Sequence, residues 1–298
     1  MGLDTDLSWP EKGATMVSGV SIQQFLKDLN QKINDDNVYS GAAALGFYLT
    51  LAIFPAIILV MAITPYLPTD HMDKALMSLL GQALPTEVFD LVAGVVREVT
   101  SEHRGGLLSF GILGTIWAVS TGMYSIMRQL NVTHDVEEAR SFVRGRATAL
   151  VLSLLFIFLV IGAFSLVVFG GLIQAWFAAR FDLSGALINF FAVFRWTVIV
   201  LALLLGFGII YRYAPNVEKR FALVTPGSVC GLVVLIVASL GFATYTDNFA
   251  NYSAAYGSIG AVIILMLWLY IVGLAILLGS EINVLLEHYR SKEGGSGR

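Results

Sequence analysis

Six polar residues stand just after long apolar stretches of the sequence, where a membrane helix would end. In chain order they are Arg128, Asn131, Arg212, Asn216, Glu281 and Asn283. Two arginines suit a phosphate because each guanidinium group offers a planar fork of donors. The set therefore predicts a substrate-binding site for an anionic group. The simpler interpretation is that these residues are interfacial anchors, with Glu281 paired to an arginine.

Arg195 is a basic residue inside an otherwise apolar stretch. It precedes Tyr211 by 16 residues, or about 24 Å of helix, which places it near the outer edge of a bilayer core about 30 Å thick. An arginine at that depth can extend its charged end toward water. The alternative is that Arg195 turns inward to meet Asp247 or an anionic substrate, and both residues are therefore candidate substrate-binding residues.

No combination of residues predicts catalysis. The four histidines are scattered over separate connections and tails, and no hydrolase, zinc-protease or nucleotide-binding motif is present. The single cysteine, Cys230, excludes a multi-cysteine metal site. We expect a protein that is not an enzyme and uses no cofactor and no metal. A net charge of −3 also gives no basic field for a nucleic-acid partner.

The composition is that of a membrane protein. Of 298 residues, 57% are hydrophobic and 13% charged, whereas soluble domains average about 25% charged residues. Six regions are long and apolar enough to span a bilayer as helices. They are 37–69, 105–127, 147–179, 187–211, 221–246 and 248–280. No strand-like alternation is present, so the predicted fold is all-α, a polytopic bundle of six transmembrane helices.

The basic residues predict the orientation of the bundle. Thirteen Lys and Arg fall on the side that carries both termini and five on the other. Because basic residues in short loops tend to stay in the cytoplasm, both termini are predicted to be cytoplasmic. The predicted location is a membrane that the chain crosses several times.

The remaining segments divide around the membrane domain, residues 37–289. We expect a disordered cytoplasmic tail over 1–18 and an amphipathic interfacial helix over 19–36, with Ser21 as its N-cap. Two amphipathic helices within 67–104 are expected to cap the outer face. Residues 290–298 form a second cytoplasmic tail, whose closing Gly-Gly-Ser-Gly-Arg resembles an engineered linker.

Small residues four apart predict close helix contacts. Gly227 and Gly231 form a GxxxG step, and Ala42 and Gly46 form a similar one. Such steps serve packing within one chain or dimerisation, and we favour packing within the chain. The oligomeric state stays open.

Several ordered blocks resemble the YihY/BrkB family of membrane proteins, some members of which carry an old "ribonuclease BN" label. The blocks are Ala42 to Tyr48 followed by Phe54-Pro55, Trp117 to Asn131, Tyr211 to Asn216, Pro226-Gly227, Asn251 to Gly260, Trp268 to Tyr270, and Gly279 to Asn283. Their order along nearly the whole membrane region makes the resemblance specific. It implies a bacterial inner-membrane protein with an envelope function and no established substrate.

The leading prediction is a transporter or flippase for an amphipathic anionic envelope substrate. Its partners would be membrane lipids and an anionic lipid or small molecule. The alternative is a noncatalytic scaffold that binds a partner protein through its outer helices. A membrane-bound ribonuclease comes third and is disfavoured, because no acid, base and metal set supports it.

Overall fold

A computed structural model describes residues 16–17, 20–63, 89, 93–94, 105–181, 185–217, 222, 224–248 and 258–295. The expected outer cap over 67–104 lies almost wholly outside the described residues. The described chain forms two short strands, β1 (Met16–Val17) and β2 (Val20–Ser21), and seven helices. The helices are α1 (Ile22–Asp35), α2 (Val38–Ile63), α3 (Gly105–Thr133), α4 (Phe142–Phe181), α5 (Gly185–Tyr213), α6 (Pro226–Asn248) and α7 (Ser258–Gly295).

Helix α1 begins where its local sequence predicts. The Ser21 hydroxyl accepts a hydrogen bond from the amide of Gln24 at 3.3 Å, which satisfies one of the free donors at a helix start. Before it, β1 and β2 pair antiparallel, with Val17 opposite Val20. The structure thus adds a two-stranded hairpin to the expected all-α fold and places Met16 and Val17 of the expected tail 1–18 in a strand.

The chain is a helical membrane protein. Within the described residues, four segments are long and apolar enough to cross a bilayer, one in each of α4 to α7: Phe142–Leu159, Val193–Tyr213, Pro226–Tyr245 and Val262–Lys292. Their outward faces expose large apolar side chains such as Phe158 (78% exposed) and Leu240 (66% exposed), as expected where lipid replaces water. Helices α2 to α7 overlap the six predicted spans, although α7 (Ser258–Gly295) begins and ends later than the predicted span 248–280. The count of six and the orientation stay predictions.

Helix α7 is the centre of the bundle and packs along α2 and α6. Leu277 of α7 is 1% exposed and belongs to a core that includes Leu45 of α2 and Leu130 of α3. A Cβ added to Gly273 would lie 3.1 Å from Leu45, so α7 and α2 approach closely there. The central helix of the bundle is therefore the last one in the chain.

The small-residue steps pack helices within the chain, as predicted. A Cβ on Gly46 would lie 3.1 Å from the backbone nitrogen of Tyr270, and one on Gly231 would lie 2.9 Å from the carbonyl oxygen of Ala275. Both partners belong to α7. Glycine is needed at these positions because a side chain would collide with backbone.

Helices α4 and α5 form a hairpin that packs against the rest of the bundle along its edges. α4 contacts α3, where the Ser153 hydroxyl lies 3.3 Å from the carbonyl oxygen of Val119. α5 contacts α6 through fewer residues. The hairpin consequently leaves a gap between its inner face and the pair α6 and α7.

Candidate functional site

Contacts distant in sequence bring one end of every long helix from α2 to α7 together near α1. The hydroxyls of Thr133 on α3 and Ser280 on α7 are 2.7 Å apart. The carbonyl of the Asn131 side chain accepts a hydrogen bond from the amide of Asn216, which follows α5, at 2.7 Å. We call this region the α1 end of the bundle. Most of the polar residues selected from the sequence lie here.

Asn131 joins the end of α5 to the connection between α3 and α4. Its side chain is 4% exposed and also donates to a Glu138 carboxylate oxygen at 2.9 Å. The side-chain amide of Asn216 donates in turn to the carbonyl oxygen of Glu137 at 3.2 Å. Asn131 and Asn216 thus meet, but their polar atoms bind protein groups. This arrangement fastens α5 rather than leaving donors free for a ligand.

Arg140 is a residue of this end that the sequence reasoning used only for orientation. One guanidinium nitrogen donates to the carbonyl oxygens of Ala214 at 3.0 Å and Pro215 at 2.7 Å. It thereby satisfies carbonyls that a helix leaves free at its C-terminus. Its other terminal nitrogen is buried and has no hydrogen-bond partner among the described residues. The same guanidinium group also forms an ion pair with Glu138, whose carboxylate oxygen lies 3.5 Å from the Arg140 Nε.

Asn283 holds the start of α6 against α7. Its carbonyl accepts from the amide of Gly227 at 2.8 Å, and its amide donates to the Thr225 hydroxyl at 3.0 Å. Thr225 and Ser228 also exchange side-chain and backbone hydrogen bonds, which forms a capping box. Asn283 therefore acts as part of a helix cap, a role that only its distant partners reveal.

Glu281 is fully buried, at 0% exposed, and its ion-pair partner is a lysine. The Lys32 ammonium of α1 lies 3.9 Å from a Glu281 oxygen, 2.8 Å from Asp36 and 3.2 Å from Asp135. Burial lowers the pKa of Lys32, but the hydrogen bond to Asp36 and the charge of Glu281 raise it more, so the net pKa lies above its ordinary 10.5. Lys32 is thus held in its charged form. The sequence reasoning missed it because lysine on α1 carried only an orientation signal.

The two arginines expected beside Glu281 lie elsewhere. Arg128 is exposed on α3. Arg212 is half-buried, 3.5 Å from the carbonyl oxygen of Val217 and stacked over the ring of Tyr213 at 5.3 Å. Within the described part of the chain, neither forms an ion pair with Glu281. The expectation that Glu281 pairs with an arginine is therefore corrected: its ion-pair partner is Lys32, because α1 folds back onto α7 and places the lysine beside Glu281.

The proposed pairing of Arg195 with Asp247 stays a prediction. Arg195 lies on α5 with its guanidinium carbon 5.8 Å from the centre of the Trp196 ring. Its Nε is buried and lacks a hydrogen-bond partner among the described residues. Asp247 belongs to α6, but its side chain lies outside the described residues.

Arg146 is a third basic residue, after Arg140 and Lys32, that the sequence analysis did not select as a site residue. It donates to the Thr121 hydroxyl at 2.9 Å, and its guanidinium lies 4.4 Å from the centre of the Trp117 ring and 5.0 Å from that of Tyr124. Such stacking stabilises a cation beside aromatic faces. The sequence signal for this contact was the presence of Trp117 and Arg146 near successive predicted helices. That signal does not specify that the two side chains pair.

An apolar cleft of about 480 Å³, including its open side, lies between the hairpin α4 and α5 and the pair α6 and α7. Only apolar atoms line it, and the residues are Phe156, Leu159, Ala202, Leu203, Gly206, Phe207, Ile210, Leu235, Val272 and Ile276. Toward the α1 end, Ala214, to which Arg140 donates, follows Ile210 by one helical turn, or about 6 Å. The apolar cleft is therefore followed, toward the α1 end, by the guanidinium group of Arg140.

The described residues contain no group of three or more His, Cys, Asp or Glu placed to hold a metal ion. The arrangement at the α1 end consists instead of fastened polar side chains, the buried acid Glu281 and the arginines beside α5. What it offers chemically is charge and donors next to an apolar groove.

Residues 29–298 match the family described as virulence factor BrkB. The chain is 38% identical to protein YfkH of Bacillus subtilis (strain 168), whose name calls it ribonuclease-like, over 90% of this chain and 96% of that protein. It is 24% identical to a UPF0761 membrane protein of Xanthomonas oryzae pv. oryzae, over 95% of this chain and 64% of that longer protein. A UPF0761 membrane protein of Stenotrophomonas maltophilia is 23% identical over 97% of this chain and 66% of its own length.

No solved structure matches the chain. The family match covers α2 to α7 completely and the second half of α1. The agreement in sequence therefore extends over the apolar helices, the cleft and the α1 end alike. The chain belongs to the BrkB family of membrane proteins.

Proposed function

We propose that the protein moves an amphipathic anionic substrate of the cell envelope, a lipid or lipid precursor, across the bacterial inner membrane. The observation that carries this proposal is the cleft between the hairpin α4 and α5 and the pair α6 and α7, which is lined only by apolar atoms. A cleft of this kind accepts an acyl chain without leaving a polar group unsatisfied.

The charged groups beside the cleft support an anionic headgroup. Arg140 has one buried terminal nitrogen with no hydrogen-bond partner in the described part of the chain, and Arg212 is half-buried at the end of α5. Guanidinium groups bind phosphate through paired donors. In this proposal the α1 end faces the cytoplasm, the chain spans the membrane six times, and the headgroup is taken up from the inner leaflet. The excess of basic residues on that side supports the orientation.

Filling the cleft tests the proposal. Gly206 lines the cleft, and a Cβ there would lie 3.9 Å from both Leu159 and Phe156, so a larger side chain can enter the cleft without striking backbone. The variant is Gly206→Leu. The matched control is Gly241→Leu on α6, where an added Cβ has no neighbour within 4 Å and points away from the bundle.

The assay follows fluorescent phosphatidylglycerol, labelled on its headgroup, in vesicles that contain the purified protein. Loss of fluorescence to an impermeant quencher reports movement between leaflets. Wild-type protein and Gly241→Leu should accelerate movement over protein-free vesicles, and Gly206→Leu should return the rate to that of protein-free vesicles. If Gly206→Leu moves lipid as fast as the control, the cleft is not the path.

A charge variant tests the headgroup part of the proposal. Arg212→Gln should slow the movement of phosphatidylglycerol more than that of zwitterionic phosphatidylcholine, while the folded yield stays near wild type because Arg212 contributes little packing. Arg290→Gln, an exposed position on α7, is the control. If Arg212→Gln moves each of the two lipids as fast as wild-type protein does, Arg212 does not bind an anionic headgroup. If wild-type protein moves neither lipid, the scaffold alternative replaces transport.

The ribonuclease-like name of the Bacillus relative gives the enzymatic alternative. Hydrolysis of RNA needs an acid, a base and a stabiliser of the developing charge within reach of one phosphate. The described residues contain no metal-binding acidic group, and the polar side chains Asn131, Asn216 and Asn283 are used in helix caps and connections. Degradation of RNA by the purified protein, abolished by Arg212→Gln, would favour this alternative over transport.

A further inference from the structure

The buried carboxyl of Glu281 has an environment that neither an arginine site nor a lipid cleft explains. Its residue is 0% exposed, and both carboxylate oxygens lack a hydrogen-bond donor among the described residues. The closest cation, Lys32, stays 3.9 Å away because its ammonium is bound to Asp36 at 2.8 Å and Asp135 at 3.2 Å. A buried anion that accepts no hydrogen bond is a costly state of a carboxyl group.

Asp36 supplies the missing partner. The Asp36 and Glu281 carboxylates face the same Lys32 ammonium, at 2.8 and 3.9 Å, and a hydrogen bond between the two carboxyl groups requires a proton on one of them. If every group ionised, Lys32, Asp36, Asp135 and Glu281 would carry a net charge of −2 around a buried position. One added proton would reduce that charge and create the donor that Glu281 lacks.

We propose that Glu281 and Asp36 share one proton at neutral pH, and that this carboxyl pair is a proton-binding site that holds α1 against α7. On release, the O–H bond breaks, the proton passes to water, and both carboxylates remain, so the four charged groups change from −1 to −2. The two carboxylates then repel each other across the contact between α1 and α7. This proposal goes beyond the transport of a lipid and does not depend on it.

The groups around the pair favour a proton over a metal cation. From the α1 side the pair meets Lys32, and from the connection after α3 it meets Asp135. The His134 ring lies 3.1 Å from the Thr133 hydroxyl, which in turn contacts Ser280 of α7. Lys32 already occupies the centre of the acidic groups, and the described residues hold no group of three or more metal-binding side chains in ligating positions. A proton needs no such set of ligands.

Infrared spectroscopy of the purified full chain in lipid nanodiscs tests the proposal at pH 7. A buried protonated carboxyl group gives a C=O stretching band separate from those of carboxylates and amides, and the band moves in heavy water. Wild-type protein should show it. Glu281→Gln should lose it, because the amide replaces the proton carrier. Glu287→Gln, an exposed acid on the same helix, should keep it.

A second variant separates sharing from simple burial. Asp36→Asn should also lose the band, because the asparagine amide donates to Glu281 and allows it to ionise. Asp35→Asn, its exposed neighbour, should keep the band. The proposal is overturned if wild type and Glu281→Gln have the same spectrum, or if Asp36→Asn keeps the band. A third result would also overturn the proposal. In that case wild-type protein lacks the band, and sodium ions raise the thermal stability of wild type but not that of Glu281→Gln. The buried site would then bind a metal cation rather than a proton.

Discussion

Substitution by alanine should have opposite effects on stability at two glycines of α6, Gly231 and Gly241. A Cβ at Gly231 would lie 2.9 Å from the carbonyl oxygen of Ala275 and 3.3 Å from the hydroxyl of Tyr211. Carbon and carbonyl oxygen normally stay about 3.3 Å or more apart, so α6 must move from α7 by about 0.4 Å. At Gly241 an added Cβ has no neighbour within 4 Å. Gly231→Ala should destabilise the protein and Gly241→Ala should stabilise it.

The expected sizes follow from the contacts. Overpacking at Gly231 costs about 1–3 kcal/mol. Displacing Tyr211, which donates to the carbonyl oxygen of Ile276 at 2.8 Å, costs about 1 kcal/mol more. Both substitutions gain about 1 kcal/mol of helix propensity, which cancels when the variants are compared. Gly241→Ala should therefore exceed Gly231→Ala in stability by about 2–4 kcal/mol.

Thermal unfolding of the three purified proteins in one detergent measures this difference. At about 2 °C per kcal/mol for a chain of this length, the midpoints of the two variants should differ by about 4–8 °C, with wild type between them. Equal midpoints for Gly231→Ala and Gly241→Ala would refute the close contact between α6 and α7. So would a loss of stability in Gly241→Ala.

Three further predictions concern the α1 end and the start of α4. Gly227→Ala should abolish the folded yield in size-exclusion chromatography, because its Cβ would overlap the carbonyl oxygen of Gly279 on α7. Asn131→Ala should lower the free energy of unfolding by about 1–3 kcal/mol, because it leaves a donor and an acceptor unpaired. The exposed control Asn34→Ala should change it by less than about 0.5 kcal/mol. Equal effects of the two substitutions would argue against a role for Asn131 in fastening α5. Arg146→Lys should lower the thermal midpoint because lysine cannot both stack on the aromatic rings and donate as a planar fork, and exposed Arg144→Lys should not.

Local signals predicted local structure. The cap of α1 depends on Ser21 and Gln24, three residues apart, and the helix starts there. The GxxxG step at Gly227 and Gly231 predicted a close contact without naming its partner, and that partner is α7. Both signals succeed because each lies within one turn or one face of a single helix.

The candidate site was predictable only in part, because its geometry depends on contacts between distant residues. The sequence placed Asn131, Asn216 and Glu281 at helix ends. All three lie at the α1 end of the bundle, but Glu281 stands inside α7, which continues to Gly295. It did not predict Lys32 beside Glu281, because that contact requires α1 to fold back onto α7. The cleft could not be predicted from the sequence for the same reason, because it depends on how the hairpin formed by α4 and α5 packs against α6 and α7.

The central position of α7 has a consequence for biosynthesis. Helices α2, α3 and α6 all pack on α7, and α1 is fastened to it through Asp28 and Tyr289 as well as through Lys32. While the ribosome is still translating, the earlier helices lack the surface that buries their inner faces. Unlike domains that fold from the N-terminus as they emerge, this bundle can close only after its last helix has entered the membrane. The first helix of the chain is thus among the last to dock, and nascent chains that stall before α7 should be substrates for membrane proteases.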